Sequence, residues 1–130
     1  MIEIDVETLY YYTNKLKIWT EIEKSIIKNI DTNTIYQYRR YYTRENKNNV
    51  CPTLISNMCS GRHNVPLIKD NKGIRKLTPR GCFNFEGFPK TYKLTEEISN
   101  SGLYKLAEND VSYPIIKKIA KQVVIILDQN

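Results

Sequence analysis

The stretch NVPLIKDNKGIRKLTPRGC, residues 64–82, decides the local fold of the chain. Two short runs that suit strands flank the residues DNKG (70–73), and this strong turn signal predicts a β-hairpin. Thr78 and Pro79 follow. Thr accepts a hydrogen bond at a helix N-cap, and Pro suits the first helical position because an amide hydrogen is not needed there. We therefore predict a hairpin followed by a short helix over 79–85.

Upstream of the hairpin, the sequence predicts a helix and two strands. Residues 16–30 predict an amphipathic helix, since apolar side chains recur at steps of three and four residues. These side chains are Leu16, Trp19, Ile22, Ile26 and Ile30. Residues 34–43 are rich in aromatic and β-branched residues and predict one strand, and residues 50–56 predict a second, shorter strand. The first strand carries arginines among aromatics, which either bind phosphates and guanine edges or protect an exposed sheet edge.

Downstream, YPIIKKIAKQVVIIL (113–127) predicts a helix with Ser112 at its N-cap. Its apolar stripe is wide, and the last turns are apolar on nearly every side. A helix of this kind should be buried against a partner surface, and a chain of 130 residues offers little such surface.

Composition favours a nucleic-acid ligand. Twenty Lys and Arg against 14 Asp and Glu give a net charge of +6 and a pI near 9.2. Such a domain gains affinity for phosphate backbones by releasing counterions. The sequence has no membrane-spanning run and no signal peptide, and its three cysteines are irregularly spaced. We therefore expect a cytoplasmic protein without a membrane partner.

No enzymatic site can be assembled from the residues alone. Five glycines are scattered and no phosphate-binding glycine loop occurs. The single histidine, His63, is more typical of a surface turn than of a general base. Cys51, Cys59 and His63 lack the spacing of a zinc site, so neither a catalytic residue nor a metal ligand is predicted.

Three pieces of the sequence resemble the C-terminal part of bacterial DNA (cytosine-5) methyltransferases. VCPTLISNMCSGRHNVPLIKDNKGIRKLTPRGCFNFEGFP (50–89) is similar to the end of the recognition domain and the penultimate motif of that family. IYQYRRYYTREN (35–46) resembles a recognition-domain run, and LYKLAENDVSYPIIKKIAKQV (103–123) resembles the last motif. The resemblance covers roughly residues 34–126 in unbroken order.

This resemblance implies an α+β fold and a partial enzyme. A small target-recognition domain over 1–92 would contain the amphipathic helix, the short strands and the hairpin. Residues 93–130 would hold the last motif and a C-terminal helix that packs on a Rossmann-like catalytic domain absent from this chain. Double-stranded DNA, a complementary catalytic subunit with the nucleophile, and S-adenosylmethionine as methyl donor are the implied partners and cofactor.

The resemblance also assigns roles to individual residues. DNA-binding positions match the recognition strand and loop: Arg39, Arg40, Arg44, Thr53, Leu54, Gly61, Arg62 and Asn64. Positions that organise the recognition domain match the penultimate motif: Arg75, Leu77, Thr78 and Pro79. Asn109 and Asp110 match the part of the last motif that lies beside the amino-acid end of the cofactor.

Several positions depart from the family pattern. Arg62 replaces a glycine, and Gly81 replaces a glutamate. Glu108 and Asp110 replace a glycine and a serine, and a carboxylate there would repel the carboxylate of the cofactor. Two interpretations remain open: the recognition subunit of a split methyltransferase, or a catalytically inactive remnant or stand-alone DNA-binding module. RNA binding by stacked Tyr and Arg side chains is a third.

Overall fold

A computed structural model describes residues 6–13, 17–26, 34–39, 42–46, 48, 50–55 and 65–129. The fold is α+β, as predicted. Its strands are β1 (Ile35–Tyr38), β2 (Thr43–Glu45), β3 (Val65–Asp70) and β4 (Gly73–Lys76). Its helices are α1 (Lys17–Ile26), α2 (Pro79–Phe85), α3 (Asn100–Asn109) and α4 (Tyr113–Leu127), and Thr8–Tyr10 form one 3-10 turn.

The strands form one antiparallel sheet in the order β2-β1-β3-β4. The predicted hairpin is confirmed, because Asp70 pairs with Gly73 and only two residues connect β3 to β4. The Asp70 carboxylate closes this turn by accepting hydrogen bonds from the Lys72 amide at 2.9 Å and the Gly73 amide at 3.1 Å. Gly73 has a φ of +142°, which a side chain would oppose.

The prediction of one strand over 34–43 is wrong. β1 ends at Tyr38, the chain reverses, and β2 begins at Thr43, with Tyr38 and Thr43 paired. The Arg39 amide donates to the Tyr42 carbonyl at 2.7 Å within this reversal. Residues 34–43 have a high strand propensity whether they form one long strand or two short ones. Residues 39–42 include no Gly, Pro or Asn, the residues that usually mark a turn.

The short strand predicted over 50–56 is also absent in its described part. Residues 50–55 run as irregular chain, although Pro52 and Leu54 are buried. Pro52 has no amide hydrogen for a sheet ladder, so burial of this segment comes from packing and not from strand pairing.

Each face of the sheet packs against helices. On one face, Ile22 of α1 contacts Tyr36, Leu67 and Ile74. The predicted helix over 16–30 is confirmed over Lys17–Ile26, and residues 16 and 27–30 lie outside the described part of the chain.

The opposite face packs against α2 and α3. Ile68 and Leu77 form a buried cluster there with residues of both helices, which include Cys82, Phe83, Tyr104 and Ala107. The predicted start of α2 is confirmed, since the Thr78 hydroxyl accepts from the Gly81 amide at 2.9 Å and Pro79 begins the helix.

Helix α3 was not predicted. The Ser99 hydroxyl caps it by accepting from the Gly102 amide at 3.2 Å, and Leu103, Tyr104 and Ala107 form its buried face. The Tyr104 hydroxyl donates to the Leu77 carbonyl, which ties α3 to the strand–helix connection. The division into residues 1–92 and 93–130 stays a prediction.

The predicted helix over 113–127 is confirmed, with Ser112 at the N-cap position. Ser112 makes no side-chain capping hydrogen bond, and none of the residues of α4 is buried. Within the described residues, no helix combines the length and apolar character needed to span a membrane.

Candidate nucleic-acid interface and adjoining cavity

The β1–β2 hairpin carries two of the predicted DNA-binding arginines. Arg44 is exposed in the middle of β2 and pairs with Gln37 of β1. Arg39 lies at the start of the reversal and is half-buried. A guanidinium on an edge strand can reach a phosphate or a guanine edge, so Arg44 has the exposure that this role needs.

The hairpin also holds polar atoms that the protein interior does not satisfy. Gln37 is only 4% exposed, and its side-chain oxygen has no hydrogen-bond partner among the described residues. The Nε of Arg39 is likewise buried and has no partner within the described ranges. A buried polar atom without a hydrogen-bond partner lowers the stability of the fold. Here one such atom belongs to Arg39, a predicted DNA-contacting arginine, and the other to Gln37, which pairs with Arg44.

Four predicted DNA-binding residues fall outside the described part of the chain. These are Arg40, Gly61, Arg62 and Asn64. Their roles stay predictions, and so does the position of His63.

The remaining two predicted DNA-binding residues occupy different environments. Thr53 is exposed, whereas Leu54 is 7% exposed and packs in the cluster with Ile68 and Leu77. Both residues line a cavity of about 470 Å³ together with residues from the ends of α2 and α3. The other lining residues are Val50, Cys51, Pro52, Phe85, Glu86, Glu108 and Asp110. The cavity thus brings predicted DNA-binding and cofactor-binding positions together.

Acidic side chains make up a third of the cavity lining: Glu86, Glu108 and Asp110 are three of its nine residues. Burial raises the pKa of Glu86, and the negative charge of Asp110 raises it further. One Asp110 oxygen accepts from the Val111 amide at 2.8 Å.

This acidity defines which groups the cavity can accept. S-adenosylmethionine carries a sulfonium, an ammonium and a carboxylate, and three acidic side chains favour the two cations and oppose the carboxylate. Asn109, the other predicted cofactor residue, is exposed at the end of α3, between Glu108 and Asp110 in the sequence. The residues therefore fit only the positively charged groups of the cofactor.

The thiol of Cys51 is not activated as a nucleophile. Burial, and to a lesser degree the nearby Glu86 carboxylate, raise the pKa of its thiol to about 12. The thiol is therefore protonated at neutral pH and is a poor nucleophile. No group of three or more His, Cys, Asp or Glu in the described ranges has an arrangement that could hold a metal ion.

The residues of the penultimate motif are internal. Arg75 is fully buried, and its Nε donates to the Asp70 carboxylate at 2.9 Å. Tyr11 donates its hydroxyl to the same carboxylate oxygen at 2.8 Å. Leu77, Thr78 and Pro79 are buried where β4 passes into α2. These four residues therefore lie in the interior of the protein, at the β3–β4 hairpin and the start of α2.

Burial acts to raise the pKa of Asp70, but hydrogen bonds from Arg75, Tyr11 and the Lys72 amide outweigh it, so the pKa is lowered. Sequence reasoning missed this network because Tyr11 and Asp70 are 59 positions apart. It also missed the cavity, for which the cluster of Glu108 and Asp110 near a helix end was the available signal.

Comparison with known proteins identifies relatives of the chain. The sequence model of C-5 cytosine-specific DNA methylases matches residues 5–124. The chain is 47% identical over 117 residues to the Type II methyltransferase M.Bsp6I of Bacillus sp. (strain RFL6), covering 90% of this chain and 36% of that protein. It is 33% identical over 67 residues to the Type II methyltransferase M.HgiCI of Herpetosiphon aurantiacus, covering 52% of this chain and 14% of that protein. No solved structure matches the chain.

Proposed function

We propose that this chain, which belongs to the C-5 cytosine-specific DNA methylase family, is the DNA-recognition subunit of a DNA (cytosine-5) methyltransferase of the restriction-modification type. It would bind duplex DNA sequence-specifically and would act with a complementary catalytic subunit that supplies the nucleophile. A cytoplasmic location is part of this proposal.

The observation that carries the proposal is the exposed apolar surface of α4. Eight Ile, Val and Leu side chains of this helix, from Ile115 to Leu127, are 48% to 67% exposed. Many large apolar side chains exposed together on one helix usually mark an interface. Because the chain spans only 36% of its Bacillus relative, the occupant that we propose for this surface is the remaining part of such an enzyme.

DNA recognition is assigned to the β1–β2 hairpin and the segment that follows it. Arg44 is exposed on the edge strand, and the chain carries a net charge of +6. Phosphate contacts would position the protein, and an arginine fork that reaches a guanine edge would supply specificity. Methylation of C5 requires the cytosine to leave the stack, and the reaction itself would take place in the complementary subunit, which would carry the nucleophile.

The methyl group would come from S-adenosylmethionine held mainly by the complementary subunit. Asn109 and Asp110 would lie at its amino-acid end, where the acidic residues that line the cavity suit the ammonium and the sulfonium. The contribution of this chain is to bind DNA, to orient it, and to complete one side of the cofactor pocket.

Complementation tests the proposal directly. The chain is mixed with the part of M.Bsp6I that lies outside the matched region, and transfer of tritiated methyl groups to duplex DNA is measured. In a second format the chain replaces the matched region within a single polypeptide. We expect transfer only when both parts are present.

Three variants sharpen this experiment. Ile119→Asp on the apolar face of α4 should abolish transfer by the mixture, whereas Lys118→Asp on its polar face is the matched control and should retain it. Arg44→Ala should relax base preference at one position by about 1–3 kcal/mol if it reads a guanine. Loss of affinity that is equal for all sequences would restrict Arg44 to a phosphate contact.

Absence of methyl transfer in both formats would overturn the subunit proposal. If the chain then bound duplex DNA alone, with affinity falling steeply as salt rises, it would be a stand-alone DNA-binding module. Preference for single-stranded RNA over duplex DNA would instead favour the third interpretation.

A further inference from the structure

Helix α4 is attached to the rest of the described protein through its first turn. The Tyr113 amide donates to the Glu86 carbonyl at 2.9 Å. The Tyr113 ring packs on Phe88 with 5.4 Å between centroids, and Phe88 in turn packs on the buried Phe83 at 5.2 Å. We call residues 86–88 together with Tyr113 and Pro114 the α4 joint.

Gly87 at the centre of the joint ends helix α2. Its φ is +83°, a conformation that glycine adopts freely. The Gly87 amide donates to the Asn84 carbonyl at 3.1 Å, and the Phe88 amide donates to the Phe83 carbonyl at 3.0 Å. This pair of bonds is the Schellman ending of a helix, in which asparagine is the usual substitute for glycine.

A second constraint on Gly87 has no connection with ending α2. A Cβ atom at this position would lie 2.6 Å from Cδ and 2.7 Å from Cγ of Pro114. Carbon atoms do not approach this closely without displacement. The proline ring at the start of α4 therefore rests directly on the backbone of Gly87, and any side chain at position 87 would push α4 away.

Small changes at the joint have large effects at the far end of α4. The helix has 15 residues and is thus about 22 Å long, so that a rotation of roughly 10° at the joint moves its last turn by about 4 Å. No residue of α4 is buried, and the joint is therefore what defines the direction of the helix.

We propose that Gly87 is a positioning residue, whose contact with Pro114 sets the direction in which α4 leaves the core and hence how the recognition subunit meets its catalytic partner. The effect of Gly87 on the direction of α4 follows from the joint alone. The consequence of that direction for association with the partner rests on the proposed function.

A distance measurement tests the direction of α4. Spin labels are attached through ketone-bearing unnatural residues at positions 105 on α3 and 121 on α4, which leaves the native thiols untouched. We expect one narrow distance distribution in the native chain and a shifted one in Gly87→Asn, which preserves the helix ending but fills the space of the Pro114 ring. Pro114→Ala should broaden the distribution, and Gly87→Asn with Pro114→Ala should remove the shift because the ring atoms are gone.

Association with the complementary part of M.Bsp6I is the second readout. Gly87→Asn should weaken it at least tenfold, and Ser101→Ala, at an exposed position of α3, should leave it unchanged. An unaltered distance distribution in both Gly87→Asn and Pro114→Ala would overturn the inference. Failure of the native chain to associate would overturn the proposed function instead, while the distance measurement would still decide the role of Gly87.

Discussion

Helices α3 and α4 follow each other along the chain but use their apolar side chains in opposite ways. α3 has 10 residues and buries Leu103, Tyr104 and Ala107 against the core. α4 has 15 residues and is the more apolar helix, yet none of its residues is buried.

The difference teaches that an apolar face requires a partner surface before it contributes to stability. The face of α3 meets α2 and the sheet, so its side chains leave water when the chain folds. The face of α4 extends beyond the α4 joint, where no described residue covers it. α3 therefore stabilises this chain, and α4 is available to stabilise a complex.

The largest expected effect compares one side chain from each helix. Leu103→Ala should lower the free energy of unfolding by about 3 kcal/mol, because it removes a buried side chain and leaves a cavity. Ile119→Ala should change it by less than about 0.5 kcal/mol, since the side chain is already in water. Urea unfolding followed by circular dichroism measures both, and equal losses would mean that α4 is packed in solution.

A smaller effect is expected from the hydrogen bonds around Asp70. Asp70→Asn should cost about 2 kcal/mol at pH 7, because a charged hydrogen-bond acceptor is lost for Arg75 and Tyr11. The pKa of Asp70 is lowered in the folded protein, so the folded state binds this proton less tightly than the unfolded state. The contribution is therefore complete above the ordinary carboxyl pKa, about 3.9, and is lost as the pH falls through the lower folded value.

Unfolding free energies of the native chain and Asp70→Asn between pH 7 and pH 3 check this prediction. The gap between them should narrow towards the acidic end. A gap that stays constant would contradict the role of the carboxylate charge. Lys118→Gln on α4 is the control and should leave the pH profile unchanged.

The smallest effect compares the two helix starts. Thr78→Ala should cost about 1 kcal/mol, because the hydroxyl caps α2 through the Gly81 amide. Ser112→Ala should cost less than about 0.5 kcal/mol, since Ser112 makes no capping bond at α4. Thermal unfolding of both variants measures the difference, and a larger loss from Ser112→Ala would reverse the comparison.

Features that depend on neighbouring residues were predictable from the sequence. The β3–β4 hairpin, the Thr78–Pro79 helix start and the extent of α4 follow from turn chemistry, capping and periodicity that act within a few positions. The β1–β2 reversal was missed because its turn carries none of the usual turn residues. Helix α3 was missed although Ser99 and the spacing of Leu103, Tyr104 and Ala107 were available signals.

The candidate site divides in the same way. Resemblance assigned Arg39 and Arg44 to DNA and Asp110 to the cofactor, and these assignments stay predictions. The contrast between exposed Thr53 and buried Leu54 could not be read from adjacent positions, because burial depends on what the rest of the chain places over a residue.

The sequence by itself determined the family, the hairpin and the apolar helix, since each is recognised from motifs or patterns that lie within short stretches of the chain. Only the tertiary structure decided that Tyr11 donates to the carboxylate of Asp70, that Glu86 shares a cavity with Glu108 and Asp110, and that Gly87 touches Pro114. These features join residues that are far apart in sequence, and they exist only once the chain has packed, because contact between distant segments depends on the geometry of everything that lies between them.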